Sequence, residues 1–219
     1  MKELDFFKQI YNYEVLFSRE VATINEIEPQ ALLNCLEIVG NGIGFHVIPN
    51  YFSKCMASDK LVSSPCHKDA DGIILFERSG EKYVLVCELK SSSGQLSCAM
   101  KQVVSSYLNF CEAFMLCDGF DIEQFHVFFI ITAVCDGKYL DWLNDVSMKQ
   151  KTMSLTFFED IVWQNYNGNV HTGSKLSDFT MYNLPKCLNS KFIDKEVSIA
   201  FCTAPMGNNM VKIDVEDLL

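Results

Sequence analysis

The sequence predicts an α/β fold with a mixed central sheet flanked by helices, and three observations lead to that prediction. Some segments carry apolar residues at helical spacing, whereas others are rich in β-branched and aromatic residues. Two strand segments are separated only by the turn-like residues 78–81, which predicts an antiparallel hairpin. A helical segment then separates this hairpin from another apolar strand, the pattern of a crossover connection. The predicted core is therefore helix, three strands, helix and strand.

The first helix and the first strand of this core are predicted upstream of the hairpin. Across residues 27–39 the apolar side chains recur at helical spacing, with Pro29 near the first turn and the residues GNG at the end. Residues 44–50, GFHVIPN, are predicted to form a short strand, and residues 51–68 an irregular or partly extended segment. The core thus begins at about residue 27.

The hairpin and the crossover that follows it are the most clearly patterned part of the chain. Strands are predicted at residues 71–77 and 82–90, and the second is apolar on both faces until its end. Such a strand belongs in the middle of a sheet. Residues 96–115 then carry one broad apolar stripe, typical of a long helix packed on a sheet, and residues 125–134 are predicted to form a buried strand.

The residues beyond this core are predicted to be additions to it, within a single domain that spans residues 1–219. A chain of 219 residues with 49% hydrophobic residues can bury one sizeable core, and no repeat or long linker interrupts it. Residues 151–158 and 197–204 have the composition of strands. Residues 177–188 indicate a short helix that Pro185 interrupts.

The composition restricts the compartment and the partners of the protein. The N-terminal fourteen residues are charged throughout and lack the apolar stretch of a signal peptide, and the ten cysteines include no C-x-x-C pair. We therefore expect a reducing, cytoplasmic environment and no structural zinc site. Every apolar run is too short to cross a bilayer, so no membrane role is expected. The net charge of −10 repels polyanions, so any contact with nucleic acid must be local.

Three charged residues are predicted to converge at one end of the hairpin. Glu88 and Lys90 are two residues apart on a strand, so their side chains emerge on the same face. Asp71 begins the partner strand, and the start of the first strand of a hairpin lies beside the end of the second. Two neighbouring carboxylates are costly to bury unless a cation lies between them, which predicts a site for a divalent cation. The alternative is a structural pair of Glu88 and Lys90, with Asp71 capping the turn.

The string from Asp71 to Lys90, DGIILFERSGEKYVLVCELK, resembles the signature of the PD-(D/E)xK nuclease superfamily. That signature is an Asp, a variable gap and a Glu-x-Lys on the next strand. The superfamily core has the order α-β-β-β-α-β, so the resemblance implies a restriction-endonuclease-like fold for about residues 27–134, with β/α additions over about 135–219. Ala70 stands where the family has proline, and Asp69, two residues earlier on the same strand face, is an alternative to Asp71.

The resemblance implies a role for each residue that matches the signature. Asp71 and Glu88 would bind Mg²⁺ or Mn²⁺ together with the main-chain carbonyl of Leu89. Lys90 would orient or deprotonate the attacking water and stabilise charge at the phosphate. Such a metal neutralises the scissile phosphate and lowers the pKa of a bound water, which is what phosphodiester hydrolysis requires.

Two further positions follow from the resemblance, outside the signature itself. The superfamily often adds a glutamate from the helix before the strands, which matches Glu37 here, with Glu28 as the weaker choice. It also adds a polar residue on the following helix, which matches Gln102, with Lys101 beside it. Four aromatic residues are candidates for base stacking, although core packing explains them better: Phe157, Phe158, Trp163 and Tyr166.

The activity that the resemblance implies is metal-dependent hydrolysis of phosphodiester bonds by an endonuclease or exonuclease, with DNA expected rather than RNA. Basic residues just before Asp71 offer a local approach to phosphate, although a solvated loop explains them equally: Lys54, Lys60, His67 and Lys68. A homodimer would supply two sites for cutting a duplex, and a protein partner would compensate for the acidic charge; both remain open. The alternatives are a non-catalytic binding protein that keeps a nuclease-like fold and an α/β interaction protein unrelated to nucleases.

Overall fold

A computed structural model of the chain describes residues 4–5, 15–26, 28, 30–49, 69–179, 190–205 and 207–219. Within these residues, helices cover one face of a mixed sheet of eight strands, so the predicted α/β class is confirmed. The strands are β1 (Leu16–Asn25), β2 (Cys35–Pro49), β3 (Gly72–Arg78), β4 (Glu81–Lys90), β5 (Phe125–Val134), β6 (His171–Lys175), β7 (Glu196–Ala204) and β8 (Met210–Asp214). The helices are α1 (Leu96–Phe114), α2 (Gly137–Gln150), α3 (Phe157–Tyr166) and the short α4 (Ser190–Ile193).

The sheet contains the predicted hairpin and crossover. Its strand order is β1-β2-β3-β4-β5-β7-β6, and β8 pairs with the first half of β2. Strands β3 and β4 are antiparallel, whereas β4, β5 and β7 run parallel. At the hairpin turn, Ser79 and Gly80 have φ angles of 52° and 86°, and positive φ at both positions gives a turn whose twist matches the strands. Strand β4 lies in the middle of the sheet, as its two apolar faces predict.

The two faces of the sheet are covered by different kinds of structure. On one face, α1 packs on alternate residues of β4 and β5, such as Val86 and Phe129, and residues of α2 and α3 belong to the same apolar cluster. On the other face, the first half of β2, the second half of β1 and β8 fold over β3 and β4. Ile24 and Leu36 therefore share a cluster with Cys87. A Cβ at Gly72 would lie only 2.3 Å from the Ile24 Cδ1, so this fold-over depends on a small residue there.

The predicted helix over residues 27–39 is wrong, because residues 35–39 form the first half of β2. Leu36 and Ile38 are buried while the residues between them are partly exposed, which is the two-residue period of a strand. Leu32, a member of the predicted helical stripe, is 64% exposed. The apolar residues fit both periods, and pairing with β1 and β8 decides between them. Residues 27 and 29 lie outside the described residues.

The predictions for the C-terminal additions have mixed outcomes. The strand predicted at 197–204 is confirmed as β7. The strand predicted at 151–158 is wrong, because Thr156 caps helix α3 and its side chain exchanges hydrogen bonds with Glu159 in a capping box. The short helix predicted at 177–188 lies mostly outside the described residues, as does the segment 51–68. No helix in the described part of the chain has the length and apolar character needed to cross a membrane.

Candidate active site

The structure brings Asp71, Glu88 and Lys90 together at the carboxyl end of β4. Because Gly72 pairs with Cys87, Asp71 lies just beyond the last rung of the hairpin, beside the end of β4. The Leu89 backbone N–H donates a hydrogen bond of 2.6 Å to Asp71 Oδ2, which fixes the carboxylate against that strand. Asp71 is 6% exposed and Glu88 is fully buried. The sequence prediction that hairpin topology joins these residues agrees with this arrangement.

Glu88 and Lys90 face helix α1. Glu88 is on the same face of β4 as Val84 and Val86, which belong to the apolar cluster beneath α1. The Lys90 ammonium forms an ion pair with Glu88 Oε1, and the Lys90 side chain is 14% exposed. On the side of the neighbouring strand β5, the Glu88 carbonyl accepts a hydrogen bond of 3.3 Å from the Thr132 hydroxyl. The carboxylate is therefore fixed in an apolar environment with a cation beside it.

Helix α1 holds the chain that leads into Asp71. The Ser106 hydroxyl accepts a hydrogen bond of 2.7 Å from the Ala70 backbone N–H. Gln102, predicted as the polar residue on this helix, donates its Nε2–H to the Asp69 carbonyl at 2.9 Å. Gln102 therefore lies near the site and positions the segment before β3. Asp69, the alternative to Asp71, takes part in this contact through its main chain.

The carboxyls of Asp71 and Glu88 are both harder to ionise than usual. Burial raises the pKa of Asp71 to about 7, and the negative charges of Glu26 and Glu28 add to the effect, although the Leu89 N–H and the Lys90 charge oppose it. Burial also raises the pKa of Glu88 well above its usual range, and Asp71 is the next largest cause. Ionisation of both carboxyls is therefore opposed by burial and, at Glu88, by the charge of Asp71.

The environment of Lys90 raises its pKa and so favours the protonated form. Burial by itself lowers the pKa of the ammonium, but the charge of Glu88 and its hydrogen bond outweigh that effect and the net shift is upward. Asp71 contributes in the same direction. In the metal-free protein Lys90 is therefore a fixed positive charge rather than a base.

The donor atoms around this carboxylate pair suit a hard divalent cation. Apart from the Lys90 ammonium, neither carboxylate oxygen of Glu88 has a hydrogen-bond partner among the described residues. In an extended strand the N–H and C=O of one residue point to the same side, so the Leu89 carbonyl lies on the side of Asp71. The described residues contain no group of three His, Cys, Asp or Glu side chains that could hold a metal. Mg²⁺ is commonly bound by one or two carboxylates with water in its other positions, so the residues fit that ion.

The structure does not support Glu37 as a ligand contributed by a helix. Glu37 lies on β2, level with Thr23 of β1 and Lys212 of β8, and the helix on which its assignment depended is absent there. Its charge acts on the thiol of Cys35, whose pKa is raised first by burial and then by Glu37. Glu37 is therefore a residue of the folded-over layer.

Glu26 is the acidic residue that the sequence analysis missed. It follows β1 directly, and its charge raises the pKa of both Asp71 and Glu88. Glu28 acts on Asp71 only as a weaker influence, and it is exposed. The chain that follows is tied to the same edge, because the Leu32 N–H donates a hydrogen bond of 2.9 Å to the Ser91 hydroxyl. Since the fold-over of β1 brings Glu26 to the site, no local sequence pattern reveals it.

Comparisons with known proteins give no information about the chemistry of this site. No known protein family, curated protein or solved structure matches the chain. The resemblance to the PD-(D/E)xK superfamily thus depends on the residues from Asp71 to Lys90 and on the hairpin, helix and strand around them, since residues 35–39 form a strand where that core has its first helix. The basic residues predicted to approach phosphate, between 54 and 68, lie outside the described residues.

Proposed function

We propose that this protein is a metal-dependent nuclease that hydrolyses phosphodiester bonds, with DNA rather than RNA as its substrate. The observation that carries the proposal is the buried pair of carboxylates, Asp71 and Glu88, beside the buried ammonium of Lys90. Burying two neighbouring carboxyls is costly to a fold, since burial raises the pKa of both and the charge of Asp71 raises that of Glu88 further. Groups with strongly shifted pKa values that share one cluster are the usual mark of a functional site.

The chain's own groups have distinct roles in this proposal. Asp71 and Glu88 hold the cation, with the Leu89 carbonyl beside them, and the hydrogen bond from the Leu89 N–H keeps Asp71 in place. When bound, the cation supplies an activated water and neutralises phosphate charge. Lys90 places a permanent positive charge where negative charge develops on the phosphate, and a preorganised charge of this kind supplies much of the catalysis in phosphoryl transfer. Gln102 acts as a positioning residue through the Asp69 carbonyl.

The acidic surface limits how the substrate is held. With a net charge of −10, long-range attraction to DNA is absent, so affinity must come from contacts near the site. A basic protein partner would add the missing positive surface, whereas a second copy of this chain would supply a second site but further negative charge. The isolated chain should therefore cleave slowly, and its rate should depend only weakly on added salt, because few cations contact phosphate.

The test is cleavage of linear, circular, single-stranded and branched DNA and of RNA, with Mg²⁺ or Mn²⁺. The wild type is compared with Lys90→Ala and Asp71→Asn, and with the control Lys149→Ala, which removes a lysine from an ion pair outside the site. We expect cleavage by the wild type and the control and its loss in both site variants, at unchanged circular dichroism. If the wild type cleaves nothing and calorimetry detects no metal binding, the proposal is wrong.

A non-catalytic binding protein with the same trio is the second candidate. The direct ion pair between Glu88 and Lys90 favours it, because a lysine that neutralises the carboxylate reduces the need for a metal. No third acidic ligand completes the site within the described residues, which points the same way. Calorimetry with Mn²⁺ separates the two candidates, since only the nuclease requires that Asp71 and Glu88 bind the ion.

A further inference from the structure

A cavity of about 340 Å³ lies beside the candidate site. It lies among the turn before α1, the start of α1, α2 and α3, and it is lined by Gly94, Leu96, Ser97, Lys138, Trp142 and Phe158. Pockets for small molecules range from about 300 to 1,000 Å³, so this cavity suits one compact group rather than a duplex. We refer to it as the Trp142 cavity.

The lining of the Trp142 cavity combines aromatic rings with one cation. Trp142 and Phe158 are both half-buried, so part of each ring borders the open space. Lys138 is exposed and forms no ion pair with any other described residue. The first turn of α1 carries no acidic side chain that would oppose an anion. Aromatic faces and a free ammonium are the groups that bind a nucleobase and its phosphate.

The Trp142 cavity and the carboxylate pair lie at the same edge of the sheet. Gly94 follows Lys90 by four residues, a stretch of chain that reaches at most about 14 Å. Lys138 follows the end of β5 at Val134, and β5 is the parallel neighbour of β4. The carboxyl ends of parallel strands are where ligands bind in open α/β sheets. The cavity therefore lies close enough to Lys90 for one single strand of nucleic acid to span the two places.

We propose that the Trp142 cavity holds one unpaired nucleobase of the substrate strand, with Trp142 and Phe158 against the base and Lys138 at the adjoining phosphate. This inference rests on the proposed nuclease function and names its substrate class: DNA with a single-stranded segment next to the scissile phosphate. A base within a duplex is stacked on both faces and cannot enter a cavity of this size without leaving its stack.

The experiment measures binding of a fluorescein-labelled single-stranded DNA oligonucleotide by anisotropy in EDTA, so that no cleavage takes place. The variants are Trp142→Ala and Lys138→Glu, and the matched control is Phe17→Ala, an exposed aromatic on β1 that does not line the cavity. We expect Trp142→Ala to weaken binding about tenfold, because stacking on an aromatic contributes that much per base. Lys138→Glu, at an exposed position, tests the site without the risk of misfolding. The blunt duplex of the same sequence should bind more weakly than the single strand.

Tryptophan fluorescence gives a second readout of the same site. The chain has two tryptophans, so Trp163→Phe leaves Trp142 as the single fluorophore and Trp142→Phe leaves Trp163. The single strand should quench Trp142 and leave Trp163 unchanged. Three results would overturn the inference: no binding of the single strand, equal losses in Trp142→Ala and Phe17→Ala, or binding unchanged in Trp142→Ala and Lys138→Glu.

Failure of this inference and failure of the proposed function are distinguishable. If the wild type cleaves DNA with Mg²⁺ and Lys90→Ala does not, while Trp142→Ala binds and cleaves like the wild type, only the cavity assignment is wrong. If the oligonucleotide binds in the Trp142 cavity but no metal supports cleavage, the catalytic proposal is wrong and the cavity remains a binding site.

Discussion

Two glutamates of this protein, Glu88 and Glu159, each pair with a lysine and yet respond to it in opposite ways. Glu159 is bound by Lys149 Nζ at 2.5 Å, and its pKa falls to about 2 because of Lys149 and hydrogen bonds from the Thr156 N–H and hydroxyl. Glu88 is bound by Lys90, and its pKa nevertheless rises well above the usual range. The Lys149 side chain is 48% exposed, whereas that of Lys90 is 14% exposed.

The difference shows that a neighbouring lysine is not sufficient to stabilise the ionised form of a carboxylate. Glu159 is also buried, but its partner Lys149 is nearly half exposed and a helix cap donates hydrogen bonds to the carboxylate, which favour the ionised form. At Glu88 the side chain is fully buried, a second carboxyl is adjacent, and no described residue besides Lys90 binds its oxygens. The pair at Glu159 is explained by local stability, whereas the cluster of Asp71, Glu88 and Lys90 keeps two buried carboxyls with raised pKa values.

The largest expected effect comes from replacing the lysine in each of the two Glu–Lys ion pairs. Lys90→Met leaves the buried carboxyl of Glu88 without its cation and forces it to take up a proton, so we expect a loss in the free energy of unfolding that grows with pH toward about 3 to 5 kcal/mol. Lys149→Met removes an exposed partner and should cause a far smaller loss. Urea denaturation of both variants measures the difference. Equal losses in the free energy of unfolding would contradict the distinction between the Glu88 and Glu159 ion pairs.

The next effect is the pH dependence of the metal-free protein. The folded pKa of Asp71 is raised, so its contribution to stability is complete below about pH 3.8 and is lost as the pH rises through about 7. Asp71→Asn removes this loss and keeps an oxygen that can accept from the Leu89 N–H. At pH 8 in EDTA the variant should therefore be more stable than the wild type, on the order of 2 to 4 kcal/mol.

Divalent metal should reverse that ranking. Mg²⁺ or Mn²⁺ binds the ionised carboxylates, so it should raise the melting temperature of the wild type increasingly above pH 7 and leave Asp71→Asn unaffected. Thermal melting across pH 5 to 9, with and without metal, provides the measurement. A wild type that melts at the same temperature with and without metal at pH 8 contradicts the assignment of Asp71 as a ligand.

A smaller effect is expected at the cap of α3. Thr156→Ala removes the hydroxyl that bonds with Glu159 and should cost about 1 kcal/mol at pH 7. Because the folded pKa of Glu159 is lowered, its contribution is present above about pH 4.5 and is lost as the pH falls toward 2. Urea denaturation at pH 7 and pH 3 tests this. A cost that grows on acidification would show that Glu159 is not the partner that matters.

The smallest expected effect identifies which acidic neighbour acts on the trio. Glu26→Gln removes a negative charge that raises the pKa of Asp71, so the midpoint of the Asp71 titration should move to lower pH. Glu37→Gln, the control, lies on β2 and should leave that midpoint unchanged. NMR titration of the Asp71 carboxyl carbon measures both. A shift with Glu37→Gln and none with Glu26→Gln would restore the assignment made from the sequence.

The sequence determined the hairpin, the central strand and the crossover helix by itself. In β4 both faces are apolar until Glu88, and the turn at Ser79 and Gly80 has the composition of a two-residue hairpin. These signals are local, since period and turn chemistry are properties of short segments. The hairpin in turn dictates that Asp71 lies beside Glu88. The cap of α3 is equally local, and the pattern from Thr156 to Glu159 could have revealed it.

Only the tertiary structure decided that residues 35–39 form a strand and that Glu26 lies near the carboxylate pair. Leu36 and Ile38 fit a helix or a strand, and the partners that select the strand, β1 and β8, are distant in sequence. Folding of that layer over Gly72 then brings Glu26 to the carboxylate pair. Strand pairing and the packing of one layer on another join residues that no local pattern links, so the neighbours of a buried charge are known only once the chain has folded.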